Sequence, residues 1–323
     1  MKLTVEAAHD GERLDKLLAA RLDGVSRAVV MKYLKEGRAR VNRRPAKPGL
    51  RVAVGDEVEL PGWDEAVERI RAGRPEGQPE VRSDRRRRTI EVIYEDEFLV
   101  AVNKPAGLVM HPGKGHEEEG LDILLREQCG PATRLVHRID RDTSGVVVAA
   151  RGHPKAARRL TKDFAEGDIE KEYLALTRGV PRPARGTIDA PLLDTKAEGQ
   201  KVRVDRRGRP ARTDYEVLEA FDGFALVQAR PLTGRRHQIR VHLGHIGCPL
   251  AVDPLHGPKQ RLRMRALRPE LPKTWKNPVV VGRTPLHAHR LRLRHPETGA
   301  DLALEAPVPP DMEEALRILK QPR

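Results

Sequence analysis

Apolar and polar positions change period several times along the chain, and each change predicts an element. Near the start, Leu14, Leu17, Leu18 and Leu22 recur at spacings of three and four, the repeat of one buried helix face, with Asp10 as its candidate cap. A second helical pattern follows Ser26, turns Val29, Val30, Tyr33 and Leu34 inward, and can stop at Gly37, which tolerates the left-handed cap conformation. Arg40-Val41-Asn42-Arg43 and the stretch from Val52 to Leu60 then read as short strands, broken by Pro45, Pro48 and Gly49. Residues 1–62 therefore predict a module of two helices and a small sheet.

Periodicity disappears after Gly62. Gly73, Pro75, Gly77 and Pro79 lead into Arg85-Arg86-Arg87-Arg88, so residues 63–88 read as a basic flexible linker. From Thr89 to Val102 the pattern alternates and then condenses, as expected of strands around a turn at Glu95-Asp96. The apolar run Val146 to Ala150 reads as a short buried strand entered through the turn Thr143-Ser144-Gly145. Further strands are predicted at Tyr173 to Thr177, Arg212 to Leu218, Ala225 to Ala229 and Leu291 to Arg294, with helices at Ala156 to Ala165 and Ile239 to Ile246. Mixed elements with short hairpin-like connections point to an α+β domain over residues 89–323, not to a regular βαβ repeat.

Composition narrows the partner. The 323 residues are 38% hydrophobic, enough for a substantial core, and carry a formal net charge of +14. Many of the 61 basic residues are Arg, the side chain suited to bidentate phosphate contacts, so nucleic acid is the first partner to consider. The cations concentrate: from Arg27 to Arg51 nine of them (Arg27, Lys32, Lys35, Arg38, Arg40, Arg43, Arg44, Lys47, Arg51) face one acid, Glu36. Such a face suits phosphate contacts, which supply affinity without much sequence selectivity; a solvated basic face is the plain alternative. No apolar run approaches the about 20 residues that span a bilayer, and Met1-Lys2-Leu3-Thr4 lacks the apolar core of a signal peptide, so a cytoplasmic location without membrane contact is expected. Cys129 and Cys248 stand alone and read as inert thiols. His237, His242 and His245 lack a standard ligand spacing and no Gly-rich phosphate loop is present, so neither a metal nor another cofactor is expected.

The candidate chemistry lies in His137-Arg138-Ile139-Asp140-Arg141-Asp142-Thr143-Ser144-Gly145. Asp140 stands between Arg138 and Arg141 just before the buried strand, where a carboxylate should stay ionised and available as a nucleophile or base. A structural ion pair is the competing reading. Asp142 reads as a turn former whose side chain bonds local amides. Lys104, in the rigid loop Asn103-Lys104-Pro105-Ala106-Gly107, is either an active-site or phosphate-contacting cation or a solvated turn lysine.

This nonapeptide resembles the signature of the RluA family of pseudouridine synthases, which isomerise uridine in RNA, and Asp140 falls on that family's catalytic aspartate. Three further blocks agree in order and spacing: Ile93 to Leu108; Lys171-Glu172-Tyr173-Leu174-Ala175, with the active-site tyrosine; and Thr233 to Leu243, with the active-site arginine. The resemblance covers roughly residues 89 to 310 and implies a mostly antiparallel mixed sheet with a catalytic cleft across its middle. By carry-over, Asp140, Tyr173 and Arg235 are the catalytic set. Arg235 is expected to pair with Asp140, and Tyr173 to stack on uracil or move a proton. Arg138 is expected to fill the gap left by a flipped-out uridine. The N-terminal module resembles the RNA-binding domain of ribosomal small-subunit protein four, the alpha-L motif. In family members with this module the substrate is commonly large-subunit ribosomal RNA, and nothing calls for an obligatory protein partner. His256 and Arg236 depart from the family pattern, and the basic segment Lys259 to Lys276 is an insertion of open role. A noncatalytic RNA-binding or ribosome-assembly protein that kept the fold, and a hydrolase using Asp140 with Asp142, are the competing functions. Free uracil as product would mark the hydrolase.

Overall fold

The structure is a computed structural model that describes residues 1–22, 27–47, 49–65, 89–112, 120–195 and 201–322. They form two compact units, one up to residue 65 and one from residue 89 onward. The linker expected at 63–88 lies, from residue 66, outside the described residues.

In the first unit, helices α1 (Leu14–Arg21) and α2 (Arg27–Lys35) pack on an antiparallel sheet ordered β1-β4-β2-β3, formed by β1 (Lys2–Thr4), β2 (Arg40–Val41), β3 (Arg44–Pro45) and β4 (Glu57–Glu59). Leu14, Leu17 and Leu18 meet Val30, Tyr33 and Leu34 in its core, as the two periodic patterns require. Trp63 is buried in the same core, edge-on to Tyr33 with ring centroids 4.8 Å apart, so the packed module reaches past Gly62. Two local expectations are corrected. Asp10 does not cap α1: Arg13 is the flanking residue, and the Asp10 carboxylate instead accepts from Val54 N. The strand expected from Val52 shrinks to β4, because the Asp56 carboxylate captures Ala53 N and Asp56 N donates to Ala53 O, closing a turn.

The second unit is built on a ten-stranded sheet. Its path runs β10-β13-β14-β9-β17-β8-β6-β5, with β7 paired to β8 and β18 to β17. The strands are β5 (Glu91–Glu95), β6 (Leu99–Lys104), β7 (Thr133–Leu135), β8 (Ser144–Arg151), β9 (Glu170–Arg178), β10 (Arg185–Asp189), β13 (Arg212–Phe221), β14 (Phe224–Pro231), β17 (Leu286–Arg294) and β18 (Asp301–Glu305). Small ribbons β11 (Leu192–Thr195) with β12 (Lys201–Val204) and β15 (Leu262–Arg263) with β16 (Val279–Val281) lie apart from it. Among the described pairs in this sheet β17 with β8 is parallel and the others antiparallel, so the expected mostly antiparallel α+β architecture holds.

The apolar run in β8 is explained by cover on both faces. Val147 and Ala149 pack with Leu121, Leu124 and Leu125 of helix α3 (Leu121–Cys129), while Val146, Val148 and Ala150 pack with Leu160 of helix α4 (Pro154–Glu166). Burying each Val contributes about 1.5–3 kcal/mol, which fixes β8 as the rigid centre of the unit. At the parallel joint Gly145 lies opposite Ala288 with φ +112°, and a Cβ there would overlap the Ala288 carbonyl. Only glycine lets β17 close onto β8 directly after the Asp140 loop.

Candidate active site

Asp140 lies in the loop from Val136 to Thr143 that joins β7 to β8. Its carbonyl accepts from Thr143 N at 3.2 Å, closing the turn expected before the strand. The loop is tied down from β6: the Lys104 ammonium donates to the carbonyls of Arg141 (2.9 Å), Leu108 (2.8 Å) and Pro105 (2.9 Å), and Gly107 N also donates to Arg141 O. Lys104 is 0% exposed and does not line the cleft, so the expectation of a phosphate-contacting cation is corrected: it is a buried clamp. Burial is the main reason its pKa falls to about 7, opposed by the charge of Asp142. Asp142 bonds the guanidinium of Arg141, not local amides, and its carbonyl accepts from Arg283, which forks onto Asp311.

The arginine beside Asp140 is Arg240. Helix α5 (Gln238–His245) starts after His237, which takes the left-handed conformation at φ +53°, and its first turn carries Arg240 inward. Arg240 Nη1 donates to Asp140 Oδ2 at 2.9 Å, while Nε and Nη2 grip Asp253 at 2.8 Å each. Burial opposes charge on Arg240, but its bonds to Asp253 and Asp140 outweigh it and raise its pKa further. Burial likewise pushes the Asp253 carboxyl up, and the Arg240 fork with the amides of His256 and Leu255 brings it below its usual range. The expected Arg235 pairing is corrected. Arg235 lines the cleft, but its Nε donates to Pro210 O at 3.0 Å, because it precedes the helix and points away along the loop. A signal for Arg240 was present: an arginine inside Gln-Ile-Arg-Val-His-Leu, on an otherwise buried helix, must find a carboxylate.

Arg138, Asp140, Tyr173 and Arg240 all line one cleft of about 600 Å³. Tyr173 reaches it from β9, packed between the apolar clusters on either side of the sheet centre. Burial first, and the Asp140 charge second, push its phenol well above the usual range, so it stays protonated and can stack or donate but cannot serve as a ready base. Arg138 is exposed at the cleft and has no hydrogen bond or ion pair among the described residues. Its neighbour His137 faces inward, accepting from Val148 N at 2.9 Å and stacking on Phe164; burial lowers its pKa to about 3.

Two histidines complete the carboxylate's surroundings. His237 Nε2 lies 3.8 Å from Asp140 Oδ2, and its Nδ1 lies 2.8 Å from His256 Nε2. Burial lowers both pKa values, that of His256 to about 4, so both rings are neutral near pH 7. One ring must donate to the other. If His256 donates, His237 presents N–H to the carboxylate; the reverse tautomer would aim a lone pair at it. At 3.8 Å His237 lies beyond hydrogen-bond distance of the carboxylate, so among the described residues the direct donor to Asp140 is Arg240. Asp140 Oδ1 accepts no hydrogen bond from the described residues, so one oxygen is held and one is open to chemistry.

His242 and His287 serve the frame. His242 bonds Thr213 and Ala190 O, and His287 bonds Ser144 and Ala306 O. Among the described residues no group of three His, Cys, Asp or Glu converges as a metal site. Cys129 and Cys248 are buried, which raises both thiol pKa values. In the first unit Arg38, Arg40, Arg43 and Arg44 are exposed, the last two on the turn and strand after β2; the side chains of Arg27 and Lys32 lie outside the described residues.

A mixed sheet, a loop carboxylate held by arginine in one cleft with a tyrosine, and a basic two-helix module earlier in the chain agree with what the sequence resemblance implies. Residues 98–245 match the RNA pseudouridylate synthase family and residues 12–58 the S4 domain. The chain is 33% identical to ribosomal large subunit pseudouridine synthase C of Pasteurella multocida over 99% of its own length and 94% of that protein. Identity is 35% to the protein of the same name from Yersinia pestis, over 99% and 95%, and 32% to an uncharacterized RNA pseudouridine synthase of Bacillus subtilis, over 99% and 98%. Human RNA pseudouridylate synthase domain containing 4 superposes with a TM-score of 0.55 at 28% identity, covering 71% of this chain and 93% of that one. The chain belongs to the RluA family of RNA pseudouridine synthases and carries an S4 RNA-binding domain. It is an isomerase acting on uridine in RNA. No helix among the described residues is long and apolar enough to cross a membrane.

Proposed function

We propose that the enzyme converts uridine to pseudouridine in large-subunit ribosomal RNA, with Asp140 as its nucleophile. The observation that carries the catalytic part is the asymmetry of the carboxylate: Oδ2 is fixed by Arg240 and faced by His237, while Oδ1 accepts no hydrogen bond from the described residues. Such an ion can attack C1′ of the ribose or shield positive charge there as the bond to N1 breaks and its electron pair leaves with uracil. The base then turns, C5 bonds to C1′, the C5 proton is lost, N1 regains a proton, and Asp140 is released. Tyr173 offers its ring to the turning base. Arg138, which has no partner among the described residues, suits the space that a flipped-out uridine leaves in the RNA stack, since guanidinium is flat and hydrogen-bonds. Arg38, Arg40, Arg43 and Arg44, with Arg27 and Lys32, contact phosphates and leave the choice of base to the cleft and to RNA shape.

The names of the Pasteurella and Yersinia relatives support large-subunit RNA as the substrate, and a cytoplasmic setting follows from that substrate. The test is release of tritium from C5 of labelled uracil in unmodified large-subunit RNA, small-subunit RNA and transfer RNA. Release from large-subunit RNA alone is expected. Release only from either of the others contradicts the proposed substrate.

A further inference from the structure

The chain has ten Phe, Trp and Tyr residues, and Trp275 stands out among them by being 61% exposed, the others being buried or half-buried. An indole left in water keeps its apolar area unburied, although the core of this unit has few aromatics to spare. Its position is built. The segment between β15 and β16 includes helix α6 (Met264–Leu267), and Leu262, Leu267 and Val281 root it in the core. The Arg265 guanidinium donates to the carbonyls of Lys273 (3.0 Å) and Trp275 (2.9 Å), and Arg265 N donates to the Asn277 side chain. Trp275 N closes a turn on Pro272 O. The backbone beneath the indole is therefore braced while the ring projects.

The surroundings are cationic. From Lys259 to Lys276 there are seven Lys and Arg against one acid, Glu270, which pairs with Arg268. Lys273 and Lys276 flank Trp275, are exposed, and have no ion pair among the described residues. The chain on either side of the segment is tied to the elements that carry the site: Asp253 before it holds Arg240, and Arg283 after it holds the Asp142 carbonyl.

We propose that this segment is a second RNA-contacting surface in the catalytic unit, with Trp275 stacking on an unpaired base and Lys273 and Lys276 neutralising the adjacent phosphates. A single indole between two cations is too small an apolar patch to bury a protein partner, but stacking on a base needs only one ring face. Charge complementarity selects the occupant, because the enzyme's substrate is RNA.

Polyuridylate is the probe, which separates this surface from the choice of natural substrate. Trp275→Ala should bind polyuridylate about 5- to 150-fold more weakly, the range for losing one stacked base, with its salt dependence unchanged. Lys273→Gln with Lys276→Gln should flatten the slope of log affinity against log salt by about 1.4, two phosphates' worth on a single strand. Polyuridylate should quench wild-type indole emission, and Trp275→Phe, which still stacks, should lose that quenching while keeping most of the affinity. Thermal unfolding and turnover at saturating RNA should match wild type in all three variants. Wild-type affinity in Trp275→Ala, or equal quenching in Trp275→Phe, overturns the proposal.

Discussion

In the unit that ends near residue 65, Arg40, Arg43 and Arg44 stand exposed around a short hairpin, whereas in the unit from residue 89 Lys104 and Arg240 are buried and their polar donors end on identified oxygens. Exposed cations are cheap to hold and screened by salt, so they serve affinity for any phosphate chain. Buried cations are stable only when paired, and the geometry that pairs them also fixes the catalytic loop. In the proposed reading the exposed charge of the first unit gathers RNA, while the buried charge of the second orients a single carboxylate.

Breaking the inward arrangement should have the largest effect. Arg240→Met strands Asp140 and Asp253 and should cost about 3–5 kcal/mol of stability, the range for removing one partner of a buried pair. Turnover should fall by about a thousandfold, and Arg240→Lys should not restore it, because ammonium cannot fork between two carboxylates. Thermal unfolding and single-turnover tritium release measure both. Arg235→Met, by contrast, should leave stability within about 0.5 kcal/mol of wild type.

Lys104→Met should loosen the loop without changing RNA affinity, since Lys104 lies away from the cleft. Its pKa is near 7 folded against 10.5 unfolded, so between those values the unfolded state binds more protons and the group adds stability as pH rises. Wild-type unfolding free energy should gain this component between about pH 7 and 10.5, and the Met variant should lose it. A pH series of denaturant melts compares them.

A smaller effect is expected at the histidines. His256→Phe removes the hydrogen-bond partner of His237 and should lower turnover by about tenfold with KM unchanged, a loss typical of one hydrogen bond. His256→Tyr, which restores a donor, should recover much of it. The outward arrangement should be the most forgiving. Arg43→Ala with Arg44→Ala should weaken RNA binding and flatten its salt slope by about 1.4–1.8, with turnover at saturating RNA intact. An unchanged slope would remove that pair from the interface.

The same division explains what the sequence disclosed. Elements dominated by apolar period were legible: the β8 run, α4 and α5 fall where Val146 to Ala150, Ala156 to Ala165 and Ile239 to Ile246 place them. Elements decided by a side chain competing for backbone were not, as with Asp56 ending the strand from Val52 and Asp10 passing over the cap. Asp140, Tyr173 and Arg138 were brought to one cleft as the motif implied. The block from Thr233 to Leu243 holds three arginines, and only the start of the helix after His237 decides that Arg240, not Arg235, turns inward. The burial of Lys104 is not legible in its own loop, because one of its three carbonyl partners lies 37 residues away, at Arg141. The His237–His256 pair crosses a comparable gap of 19 residues.

The central claim is that the open oxygen of Asp140 performs the chemistry. The most direct measurement is tritium release from C5-labelled uracil in large-subunit RNA by wild type beside Asp140→Ala, with RNA binding and unfolding followed for both. Release by wild type alone, with Asp140→Ala folded and binding RNA within a few fold, is the predicted result. Tritium release by correctly folded Asp140→Ala at the wild-type rate would contradict it.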